Sequence, residues 1–173
     1  MNEPQADHDW VRDWLPDRFA DVQFRGRVPA VKWAFFNQLV RPLADDAAEA
    51  LWAALFVGVG KPFHFERAGG WMKRVFRKVT GPPELDAGQT VADGLHAALG
   101  WEPETRVFLV YDPVQVFCAS WSAVLDCLRR EWVPLGTLVM CCDTSPRAAV
   151  FWENFGPYYA DRGKRHLVWP GTS

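Results

Sequence analysis

The sequence predicts an α+β fold: a helix-rich amino-terminal half, then an antiparallel or mixed sheet of short strands with one amphipathic helix. Three observations predict it. Apolar residues recur at helical spacing in several segments before Gly100. From Arg106 onward the runs RVFLVY, VQVFC, TLVMCC and AAVFW are compact and rich in β-branched and aromatic residues, and D-P, DTSP and NFGP turn signals separate them. Between the second and third runs a single segment returns to the helical period.

The chain reads as one domain over residues 1–173, with residues 1–16 as a helical arm in which Trp10 and Trp14 share a face before Pro16 ends the helix. Val28 to Val40 is too uniformly apolar for its period to choose between strand and helix. Asp45 or Asp46 caps the next helix, with Glu49 as capping-box partner of Asp46; Ala50, Leu51, Ala54 and Leu55 form its stripe, and Gly58 and Gly60 end it. Met72, Val75, Phe76 and Val79 then predict an amphipathic helix whose other face is the basic patch Lys73, Arg74, Arg77 and Lys78. Gly81 and Pro82-Pro83 close it, and Asp86 with Gln89 opens a helix carrying Val91, Leu95 and Leu99 to Gly100.

Arg106 to Tyr111 and Val114 to Cys118 predict two strands joined through Asp112-Pro113. Ser120 is placed to cap a helix with Trp121, Val124, Leu125, Leu128 and Trp132 on one face and Asp126, Arg129, Arg130 and Glu131 on the other. Thr137 to Cys142, Ala148 to Trp152 and Tyr158-Tyr159 follow as a meander, and His166 to Trp169 reads as an edge strand.

Composition narrows the function. Ten tryptophans among 173 residues give the chain an aromatic core, an aromatic binding face, or both. A net charge of −2 lacks the electrostatic term that dominates nucleic-acid affinity, so a nucleic-acid partner is not expected. The start MNEPQADHDW has no secretory character, and the longest apolar stretch, Ala50 to Gly60, holds 11 residues against the roughly 20 of a membrane span. The expectation is a cytoplasmic protein with no membrane partner, whose four cysteines stay reduced.

Gly70-Trp71, Pro82-Pro83, Gly100-Trp101 before the VFLVY strand, Ser120-Trp121 opening a helix, and the final FWENFGPYY form a succession of aromatic and glycine landmarks. Over roughly residues 70–165 this order resembles a bacterial family of small Trp-rich intracellular proteins known as a domain of unknown function. The resemblance implies a single intracellular bacterial domain and transfers no activity.

No catalytic motif stands beside these landmarks. Gly58 to Pro62 is not a phosphate loop, because Leu55 takes the place of its first glycine and Pro62 that of its Ser or Thr. His64 and Glu66 form H-x-E without the P-C-x-x-C of zinc deaminases. Cys141-Cys142 would face opposite sides of a strand, one of them toward solvent, so neither a metal nor a cofactor is expected.

The most suggestive stretch is Phe151 to Tyr159, with five aromatics in nine residues mixed with Asn, Gly and Pro. Trp152, Phe155, Tyr158 and Tyr159 are its candidate partner-binding anchors; the plain alternative sets one ring of two strands into the core. The leading function is therefore a non-catalytic protein-binding protein, immunity- or antitoxin-like, rather than an enzyme. The alternative is a small-molecule enzyme or ligand-binding domain with an aromatic-lined pocket, for which His64, Glu66, Asp112 and His166 are the polar candidates.

Overall fold

The computed structural model of the protein describes residues 39–56, 78–80, 88–111, 113, 115–131, 133, 138–152 and 155–161, with the backbone alone for 78–80, 152, 155–158 and 160. Among these residues lie helices α1 (Asp45–Leu55), α2 (Val91–Leu99) and α3 (Trp121–Arg129). The strands are β1 (Arg41–Pro42), β2 (Lys78–Thr80), β3 (Arg106–Val110), β4 (Val116–Ser120), β5 (Leu138–Cys142), β6 (Arg147–Trp152) and β7 (Phe155–Asp161). They form one antiparallel sheet in the order β1-β4-β3-β5-β6-β7-β2. The α+β class stands, but the sheet is not confined to the carboxy-terminal half: β1 and β2, from the other half, form its two edges.

The period-2 alternation of strands divides the core in two. Val107, Leu109, Phe117, Leu138, Met140, Cys142, Ala149 and Phe151 pack with α2 and α3 on one face. Phe108, Val110, Val116, Val139, Cys141, Ala148 and Val150 pack with α1 on the other. Two-sided burial explains why RVFLV and LVMCC are continuous apolar runs rather than polar-apolar alternations. Cys141 and Cys142 do face opposite sides, yet both are fully buried, so neither meets solvent.

Local chemistry sets the helix ends. In α2 the Thr90 hydroxyl accepts from the Asp93 amide while the Asp93 carboxylate accepts from the Thr90 amide and hydroxyl, a capping box that replaces the expected Asp86–Gln89 start. Gly100 ends this helix at φ 61°, a left-handed conformation that favours glycine. Asp46 bonds the amide of Ala47, but Ala44 occupies the N-cap of α1 and no side chain caps it. The buried stripe of α1 is Ala47, Ala48, Leu51 and Leu55, with Ala50 and Ala54 at its margin. Ser120 caps α3 as expected, accepting from the Ala123 amide.

Three expectations change. Lys78–Thr80 is a strand paired with Tyr159–Asp161, so the predicted basic helix cannot run to Val79; β-branched Val79 and Thr80 suit the sheet, and long-range pairing outweighs the helical period there. Tyr111 donates its amide to the carbonyl of Gln115, which moves the start of β4 to Val116. The NFGP turn is replaced by a hairpin in which Trp152 faces Phe155, with Phe155-Gly156-Pro157 inside β7. The register between Val150↔Tyr158 and Trp152↔Phe155 sets Phe151 against two residues, Gly156 and Pro157. Such a bulge is a place where a strand accepts a proline without an N–H to donate. The segments 1–16, 28–38 and 166–169 lie outside the described residues.

Two substitutions test this architecture by chemical denaturation. Leu109→Ala, at a fully buried site bordered by both β4 and β5, is expected to cost about 2–5 kcal/mol. Thr90→Ala removes the cap of α2 and should cost about 1 kcal/mol near neutral pH. The Thr90 bonds hold the Asp93 carboxyl below its ordinary value, so their contribution is complete above the usual carboxylate range and disappears as pH falls through the lowered one. The wild-type and Thr90→Ala curves should therefore draw closer in acid without merging, since the Thr90 hydroxyl still accepts from the Asp93 amide.

Candidate functional site

The best-defined polar and aromatic cluster lies where α2 ends and α3 begins. Trp121, the first residue of α3, is fully buried, and its Nε1–H donates to Nδ1 of His96 in α2 at 3.2 Å. Trp101, just past the α2 cap, meets Trp121 edge-on, with ring centroids 5.1 Å apart and planes at 73°, a geometry that sets a positive ring edge against a negative face. The Trp101 Nε1 is buried without a hydrogen-bond acceptor.

The backbone of both helix ends is satisfied by this same neighbourhood. Nη1 of Arg147 in β6 donates to the carbonyls of Ala98 and Leu99, at 3.2 and 3.4 Å. The amides of Trp121 and Ser122 donate to the carbonyls of Thr105 and Pro103, at 2.8 and 2.9 Å. The first turn of α3 therefore offers no open row of N–H groups to an anion. Gly100-Trp101 and Ser120-Trp121 have structural work here as caps and as the two halves of an indole pair.

Burial fixes the charge state of the interior. The Cys127 thiol is pushed up to about 12, first by burial and then by the nearby Asp126 carboxylate. Burial also raises the phenols of Tyr111, well above its ordinary value, and Tyr159. Cys127 is thus a packed thiol with no nucleophilic fraction at neutral pH. Among the described residues no group of three or more His, Cys, Asp or Glu could hold a metal ion, and no helix is long and apolar enough to cross a membrane.

The β6–β7 hairpin carries the candidate anchors. Phe151 is buried with the α2–α3 face, and Tyr159 is half-buried against the same core, leaving only part of its ring for a partner. Trp152 faces Phe155 across the hairpin, and Tyr158 pairs with Val150. Of the basic patch, Lys78 is on edge strand β2, opposite Asp161; Lys73, Arg74 and Arg77 lie outside the described residues. The polar pocket candidates His64, Glu66, Asp112 and His166 lie outside them as well.

Sequence reasoning missed the cluster of His96, Trp101, Trp121 and Arg147. His96 and Trp121 are 25 residues apart and Arg147 is 49 from Ala98, so no local spacing links them. The usable signal was the pair of tryptophans placed immediately after one helix end and at the start of another. Comparison with family models, curated proteins and solved structures returns no match.

The burial of the cysteines gives a direct check. Cys127, Cys141 and Cys142 are buried and Cys118 is half-buried. Native protein should therefore react with at most one equivalent of a thiol reagent near neutral pH, and all four thiols should react after unfolding in denaturant. Rapid labelling of Cys141 or Cys142 in the native state would contradict the two-sided core.

Proposed function

We propose that the chain is a non-catalytic, intracellular protein-binding protein of bacterial origin, immunity- or antitoxin-like, whose partner meets the β6–β7 hairpin. One observation carries this reading. Three of the four aromatic candidates sit together on the two-stranded β6–β7 hairpin, where Trp152 faces Phe155 and Tyr158 pairs with Val150. Rigid aromatics near a sheet margin supply contact area at low entropic cost, while strand backbone supplies directional hydrogen bonds. The net charge of −2 also fits a protein partner better than a polyanion.

The test is a pull-down of the tagged full chain from its source lysate, followed by native mass spectrometry. A stoichiometric polypeptide is expected. Trp152→Ala together with Tyr158→Ala should lower its retention at least tenfold, the scale of losing aromatic anchors, without moving the thermal midpoint by more than about 3 °C. Retention of a small molecule and no polypeptide, or full retention by the double variant, would overturn the proposal.

A further inference from the structure

His96 stands on the last turn of α2 with its side chain exposed, whereas the Trp121 indole that it binds is wholly buried. The hydrogen bond requires a lone pair on Nδ1, which places the imidazole proton on Nε2. A second proton, taken from solvent, turns Nδ1 into a donor facing another donor. The exposed imidazole is free to swing outward; the indole is held in the core by its packing and keeps an N–H with no acceptor.

We propose that the His96–Trp121 hydrogen bond is an acid-released latch: protonation of His96 breaks the buried polar tie between α2 and α3 and loosens their packing. The charged and titratable groups on the surrounding elements reinforce it. On α2 and α3, Asp93 and Arg129 form an ion pair at 3.4 Å that is about half exposed on both sides, too solvated to hold the helices together alone. On β6, the Arg147 guanidinium already occupies the Ala98 and Leu99 carbonyls. It brings a positive charge to the helix end, and Asp161 on β7, its cross-strand neighbour, brings a carboxylate to the same side.

Cys127 on α3, Tyr111 after β3 and Tyr159 on β7 line the same core, and burial keeps all three neutral. The Thr90 hydrogen bonds hold the Asp93 carboxyl below its ordinary value. Histidine is the side-chain type that changes charge between about pH 5 and 8, and His96 is the acceptor of the buried Trp121 indole N–H.

The experiment follows the Trp121 indole N–H of the ¹⁵N-labelled full chain from about pH 8 to 5, the span in which histidine titrates. The signal is assigned by its loss in Trp121→Phe. We expect the resonance to move together with the His96 ring signals. Native-state exchange of the α2 amides, corrected for the intrinsic pH dependence, should accelerate roughly tenfold, the scale of one lost buried hydrogen bond. In His96→Gln, and in His96→Asn as a second non-titrating acceptor, both responses should vanish. An indole signal that stays fixed while His96 titrates, or that moves equally in both variants, would overturn the proposal.

Discussion

Two-sided burial of an antiparallel sheet is the constraint on which the rest of this structure depends. A sheet with one wet face needs only alternate apolar residues, but here Phe108 and Leu109, neighbours in β3, are both fully buried on opposite faces. Every inner strand must then be apolar throughout, and polar work moves to strand ends, helix caps and edges. Thr90, Asp93, Ser120 and Arg147 all occupy such positions. A layer of helices on each face follows from the same requirement, because a bare face carrying Val110, Val139 and Val150 would stay in water.

This constraint also decides what was legible in the sequence. β3, β5 and β6 could be read because continuous β-branched runs bounded by turn residues have few other solutions. α3 could be read because its cap and its stripe agree: Ser120 binds the Ala123 amide where Trp121, Val124, Leu125 and Leu128 go inward. β2 was illegible because three residues carry no period of their own, and Val79 continues a helical spacing equally well. Its strand state comes from β7, where its central residue Val79 pairs with Ala160, 81 residues further along the chain. The Gly156-Pro157 pair looked like a turn because a bulge uses the same residues for a related reason: both accommodate a missing donor and a bent backbone.

The candidate site was less legible than the fold. Trp152, Phe155 and Tyr158 stood out by density alone, which marks aromatic segments without saying which face they serve. Tyr159 shows the ambiguity in one residue, since its ring supports the core although it belongs to the same aromatic run. His96, by contrast, gave no signal. Its partner is on another helix, and pairing of this kind is set by how α2 and α3 lie across the sheet rather than by any spacing along the chain.

Magnitudes separate what holds the α2–α3 layer together from what specifies it. Burying one indole removes roughly 150–250 Å² from water, worth at most about 4–6 kcal/mol, whereas a single neutral hydrogen bond contributes about 1 kcal/mol net. Packing of Trp101 and Trp121 therefore supplies most of the cohesion. Yet apolar burial is nearly indifferent to small rotations of a ring, while the Nε1–H must point at an acceptor. The His96 bond fixes that orientation, and Arg147 fixes the end of α2 from which His96 reaches across. A weak directional contact placed on a strongly packed residue can thus choose among nearly equal packings, and placing its other half on an exposed histidine makes that choice answer to the solvent.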